Sequence, residues 1–134
     1  MATRIVVLLS LTAIMLSASC GKSNLLPQSS LTLRNATTNA LISTSENTGT
    51  INLNVGDAYP LLVIRTFSNE NGGTESSDVT QFANFKWTTG AGICSVDPFG
   101  NVSALAVGQA LMEVKFRASV FDPWDTVRLT IVVN

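Results

Sequence analysis

Apolar and polar residues alternate with period two over long stretches of this chain, the pattern of half-buried strands. The cleanest run is 110–118. Met112, Val114, Phe116 and Ala118 fall on one face, with Glu113, Lys115 and Arg117 on the other. Residues 126–133 repeat the pattern, with Val127, Leu129, Ile131 and Val133 inward. Ile51, Leu53 and Val55 alternate with Asn52 and Asn54, and Leu31 and Leu33 mark a short first edge strand. Residues 59–67 differ, being apolar on both faces through Leu61, Leu62, Val63 and Ile64. Such a strand needs its outer side covered, here by the polar insert 36–50 or by a partner.

Turn chemistry separates these runs. At the centre, Val96-Asp97-Pro98-Phe99-Gly100-Asn101-Val102 joins two short apolar arms. Pro presets φ, Gly supplies a positive φ, and Asp and Asn side chains bond nearby backbone, so the stretch predicts a β-hairpin. Gly56-Asp57 turns the chain. Residues 36–50 read as a loop, briefly extended near 40–43. Residues 68–80 read as a long polar connection tipped by Asn71-Gly72-Gly73. Phe82, Phe85 and Trp87 then enter a middle strand, where Trp87 reads as a core ring bridging two sheets. About seven short strands and no helical period predict an all-β, two-sheet sandwich.

Val55-Gly56-Asp57, Leu61, Asp78-Val79-Thr80, Trp87, the Val96-Asp97-x-x-Gly100-x-Val102 hairpin, Gly108 and a final Val/Ile-rich strand occur in that order. In order and spacing they resemble the group 2 bacterial immunoglobulin-like domain, carried by intimin- and invasin-type adhesins and other bacterial surface proteins. The resemblance covers residues 31–134. It implies an immunoglobulin-like sandwich with Trp87, Val96, Gly100, Val102 and Gly108 as structural core positions, and a role in adhesion or binding. Cys94 sits where that family commonly carries Ala. Two departures are the polar insert 36–50 and an unusually aromatic last hairpin tip.

The first residues carry an address. A short cationic start at 1–4, an apolar run at 5–16 and the small residues Ser17, Ala18 and Ser19 lead to Cys20. That is the layout of a signal peptide over 1–19, and the run is shorter than the ~20 residues a membrane-spanning helix needs. A cysteine at that boundary resembles a bacterial lipobox, with Cys20 as the lipidated residue, although Leu16 stands four positions before it and not three. Ordinary signal-peptidase cleavage is the alternative, and a Cys20–Cys94 disulfide is open only in that case. Residues 20–30 are polar and Ser-rich, a tether between the lipidated cysteine and the domain at 31–134.

Composition narrows the chemistry. A formal charge of −1 leaves no basic footprint for nucleic acid. With no histidine in the chain, Ser-His-Asp, Cys-His and His-ligated zinc chemistry are excluded. Cys94 lacks a base to make its thiolate and reads as an inert core residue. The carboxylates lie mostly in turns, where backbone bonding is their ordinary use. No metal or cofactor is implied, and calcium at Asp122 and Asp125 would lack the fuller oxygen set that ion takes. The remaining feature is Phe121-Asp122-Pro123-Trp124-Asp125, between the last two alternating strands. It predicts an exposed hairpin tip, a candidate binding site through Phe121, Asp122, Trp124 and Asp125. Folding of those rings back as a core cap is the other reading. The expected protein is exported to the bacterial cell envelope and lipid-anchored at the outer membrane or cell surface. There it would be a non-enzymatic module for binding, adhesion or spacing, with an envelope protein or glycan as partner. The alternative is a secreted or surface assembly subunit that pairs through its edge strands.

Overall fold

Strands with one apolar face are stable only when two such faces close on each other. In the computed structural model, which describes residues 28–134, nine strands do this in two packed sheets. They are β1 (Ser29–Asn35), β2 (Thr48–Leu53), β3 (Ala58–Ser68), β4 (Thr74–Asp78), β5 (Asn84–Thr89), β6 (Cys94–Val96), β7 (Asn101–Ala104), β8 (Gly108–Phe116) and β9 (Asp125–Val133). One sheet runs β1-β3-β7-β6, with β4 also on β3; the other runs β2-β9-β8-β5. Pairing is antiparallel except between β2 and β9. Leu33, Leu61, Val63 and Val102 from the first sheet meet Met112, Val114, Val127, Leu129 and Ile131 from the second, none more than 2% exposed. The protein is an all-β sandwich.

The expected alternation holds through β8 and β9, whose buried residues are Ala110, Met112, Val114, Val127, Leu129, Ile131 and Val133. The central hairpin forms as β6 and β7. Asp97 anchors its corner: Oδ1 accepts from the backbone N–H of Phe99 and of Asn101, each at 2.9 Å, and Oδ2 from Asn101 Nδ2 at 2.8 Å.

β3 is the hub of its sheet. β1 pairs along one side of it, and the other side is divided between β7 at 58–60 and β4 at 64–68. The gap between them is filled without a strand. Leu61 N–H donates to the Gly100 carbonyl at 2.9 Å, Val63 N–H donates to Thr80 Oγ1 at 2.9 Å, and Val79 N–H donates to the Val63 carbonyl at 2.9 Å. Thr80 Oγ1 in turn donates to Asp78 Oδ1 at 2.6 Å. Gly100 has φ +84°, and a Cβ there would lie 2.8 Å from Thr80 Cγ2 and 3.0 Å from the Leu61 carbonyl oxygen. Both the conformation and the close approach call for glycine. Asp78-Val79-Thr80 and Gly100, far apart in sequence, thus close one opening in one sheet.

Six expectations change. Nine strands replace about seven, mainly because 74–78 pairs with β3 as an edge strand. All five of its residues are exposed, so it carries no apolar alternation to read. β1 likewise begins at Ser29, where the serines give no signal. Val55 lies in the turn after β2, half exposed, and Phe82 is exposed in a short 3-10 turn, Thr80–Phe82, instead of entering a strand. β5 is an edge strand, not a middle one, so Trp87 is half-buried against the margin of the core. Finally, the 36–50 segment does not cover the outer face of β3. Residues 36–47 fold along the open edge of β1, where Ile42 N–H donates to the Leu33 carbonyl at 2.9 Å and Leu33 N–H donates to Ser43 Oγ at 2.9 Å, and 48–50 already open β2. Leu62 and Ile64 remain half-buried, paired across the ladder with Arg34 and Thr32.

The pairing registers also place the ends of the strands. Ser29 is opposite Phe67 and Phe116 is opposite Asp125, so the start of β1, the end of β3, the end of β8 and the start of β9 share one pole. This is the entry pole. The Val55-Gly56 turn, Leu105, Val107 and the end of β9 gather at the far pole.

Candidate functional site

The β8–β9 connection forms the tip expected from the sequence. Val120 is 70% exposed, Phe121 94% and Trp124 47%, and Asp122 is exposed beside them. The rings do not fold back over the core. The loop nevertheless has internal structure. Asp122 N–H donates to the Ser119 carbonyl at 3.2 Å, and Phe121 N–H donates to Ser119 Oγ at 3.2 Å. Arg117, on the last turn of chain before the loop, donates from Nη1 to the Val120 carbonyl at 3.3 Å. Its guanidinium also lies over the Trp124 ring, 4.4 Å from the centroid. One side chain therefore braces both sides of the loop, by a charge-assisted hydrogen bond and a cation–π contact.

Asp125 plays a different part from its neighbours. It is the first residue of β9 and shares the inward parity of Val127 and Leu129. Ser29 on β1 and Arg65 on β3 also stand at inward parity, next to Leu31 and Val63 respectively. The three close the entry pole with polar groups. Ser29 Oγ donates to Asp125 Oδ2 at 2.6 Å, and Arg65 Nε lies 3.9 Å from the same oxygen. That separation is an ion pair without a hydrogen bond, and Arg65 Nε is buried with no hydrogen-bond partner among the described residues. The guanidinium is instead held between rings, 4.9 Å from the centroid of Phe67 and 5.6 Å from that of Phe116. Ser29, Arg65, Phe67, Ala118, Asp122, Pro123 and Asp125 line a cleft of about 240 Å³ at the foot of the tip.

Of the residues singled out from sequence, Phe121, Asp122, Trp124 and Asp125 are thus brought together, with Asp125 turned inward. Arg65, Ser29 and Arg117 were not anticipated. The signal for Arg65 was present: a cation at an inward position of an apolar strand needs a partner from elsewhere in the fold. Gly100 and Val102 are buried, Val96 is half-buried against the core, and Gly108 opens β8. Cys20 lies outside the described residues. Cys94 is fully buried and has no disulfide partner among the described residues, and burial pushes its thiol pKa up, which suppresses the reactive thiolate.

Three further carboxylates are occupied by structure. Asp57 Oδ2 accepts from Asn54 N–H at 2.8 Å, Asp78 holds Thr80, and Asp97 holds the hairpin corner. Among the described residues, no group of three His, Cys, Asp or Glu side chains is placed to hold a metal ion. A scan against protein-family models finds no match to this chain, and a search of curated proteins finds none either.

Proposed function

We propose that this chain is an exported, envelope-anchored immunoglobulin-like module of the group 2 bacterial type, tethered through lipid on Cys20. It acts without catalysis, by contact, and its contact surface is the entry pole with the 120–125 tip. The observation that carries this reading is the allocation of polar groups. Asp57, Asp78, Asp97 and Thr80 serve turns and sheet edges, and Arg65 and Asp125 close the sandwich, while the tip gathers Val120, Phe121 and Trp124, three of the large apolar side chains left facing solvent, on one loop. The leader ending at Cys20 and the order of the family-like motifs support the address and the class.

The test is the mass of the mature N-terminal peptide together with phase separation in detergent. Acylated Cys20 and a detergent-phase protein are expected, with Cys20→Ser moving the protein to the aqueous phase. An unmodified Cys20 in a wild-type protein that partitions as soluble refutes the anchor.

Assembly through an edge strand is the second reading, favoured by β4, which pairs on one side only. Its five residues include Glu75 and Asp78, and charges on a short edge oppose such pairing. Sedimentation as a monomer at high concentration would remove it.

A further inference from the structure

We propose that the 120–124 tip is a membrane-contact element: Val120, Phe121 and Trp124 dock on the lipid surface to which the chain is tethered. This names the partner of the contact surface proposed above and rests on that reading. The first argument is position. The tether reaches the sandwich at Ser29, and Ser29 Oγ is hydrogen-bonded at 2.6 Å to Asp125, the residue that ends the tip. Tether and tip therefore leave the molecule at the same pole.

Length decides the orientation. From Cys20 to Ser29 is nine residues, a reach of at most about 30 Å. The strand β8, nine residues from far pole to entry pole, spans about 30 Å. To present the far pole to the bilayer, the tether would have to run the length of the sandwich at nearly full stretch. With the entry pole down, no such reach is needed. The lipid that holds the domain thus also sets which end faces it.

Chemistry fits the surface so presented. A valine, a phenylalanine and a tryptophan, all exposed, sit on a loop braced from within by Arg117. Trp is suited to the headgroup boundary, with an apolar ring and a polar N–H, and Phe and Val to the hydrocarbon edge below it. The nearby charges balance, Arg65 and Arg117 against Asp122 and Asp125, so attraction to anionic lipid is not what holds the tip down. A single weak apolar contact added to an existing lipid anchor acts at high effective concentration and sets posture more than affinity.

The chain has two tryptophans, so each can be read alone. Full-length protein carrying Trp87→Phe reports Trp124, and protein carrying Trp124→Phe reports Trp87. On phosphatidylcholine vesicles brominated near the acyl carbonyls, Trp124 emission should shift to the blue and be quenched, with Trp87 much less affected. Adding Val120→Ser with Phe121→Ser should remove most of that quenching, while circular dichroism stays native because both side chains are exposed. Replacing part of the phosphatidylcholine with phosphatidylglycerol should change little. Acylated, vesicle-bound protein with unquenched Trp124 overturns the inference and leaves the anchor standing. Non-acylated protein whose Trp124 is quenched by added vesicles keeps the inference and removes the anchor. Quenching that requires phosphatidylglycerol and is lost in salt overturns docking by the rings, as does Trp124 protected by a soluble glycan or envelope protein instead of lipid.

Discussion

Replacing Thr80 by valine is the sharpest test of how the β3 hub is held. The substitution keeps the shape of the side chain and removes one oxygen. That oxygen accepts from Val63 N–H at 2.9 Å and donates to Asp78 Oδ1 at 2.6 Å. Val63 is fully buried and Thr80 only 6% exposed, so water cannot replace the hydroxyl on the Val63 side. A stranded buried N–H costs roughly 1–3 kcal/mol. Asp78 is exposed and keeps the Thr80 backbone N–H at 2.9 Å, so solvent makes up most of its loss. The expected destabilisation is therefore about 2 kcal/mol, a large share of the ~5–15 kcal/mol of a small domain. In urea, with a slope of ~1–3 kcal/mol/M, the midpoint should fall by roughly 1 M. Thr80→Ser is the control. It keeps both hydrogen bonds and loses one methyl, worth about 0.8 kcal/mol, so it should rank between wild type and Thr80→Val. Exchange of the Val63 amide, followed by NMR, should accelerate in the Val variant and hardly change in the Ser variant. A Thr80→Val protein within ~0.5 kcal/mol of wild type, or less damaged than Thr80→Ser, would show that the hydroxyl does not hold the gap in β3.

The Asp97 carboxyl is held below its ordinary 3.8 chiefly by the Asn101 side-chain amide, then by backbone N–H groups. Its contribution to stability is therefore full above the ordinary value and lost as pH falls through the lower folded value. Asp97→Ala should flatten the acid limb of a stability–pH profile, leaving the part due to Glu113, which Lys115 lowers in the same way. Trp87→Ala should cost about 2 kcal/mol, less than the ~3–5 of a fully buried ring, and Leu129→Ala in the sandwich centre should cost at least as much; equal and negligible losses by urea titration would contradict the burial of both. Trp124→Ala removes a half-exposed ring and its contact with Arg117, so its unfolding midpoint should stay within about 1 kcal/mol of wild type. A larger loss would make Trp124 a cap on the core.

How much of this was legible in the chain depends on what each residue contributes locally. The alternation in β8 and β9 could be read because every second residue there is apolar and the intervening ones are polar or charged. β4 could not, because a paired edge with both faces in solvent needs no apolar residue at all. Trp87 was misplaced for a related reason. A large ring reads the same on a central or an edge strand, and only the order β2-β9-β8-β5 decides how much of it is covered. The tip was legible as a loop, since the strands on either side of it are strongly patterned, but its rings could be read as exposed or as a cap on the core. Its brace was not legible, because Arg117 reads as one more polar residue on the outer face of β8 until the loop curls back over it.

The pole at which the tip stands was the least legible feature. The start of β1 and the tip are separated by most of the chain, and their relation depends on how many times the chain reverses between them. That number cannot be counted from strand signals when one strand is invisible and another pair is parallel. β1 runs from the entry pole to the far pole, as its register against β3 requires, and β2 runs the same way because it is parallel to β9. The segment between them must therefore return to the entry pole. It does so along the edge of β1, with Leu41 bridged to Arg34 and Ser43 to Gly49. The polar insert that looked like an interruption is thus the return crossing of the chain. Had it been a tight turn, β2 would have run the other way. The parallel pair with β9 could not then have formed. The sequence of reversals that puts Ser29 beside Asp125 follows from that crossing, and so does the placing of Phe121 and Trp124 at the end where β1 begins.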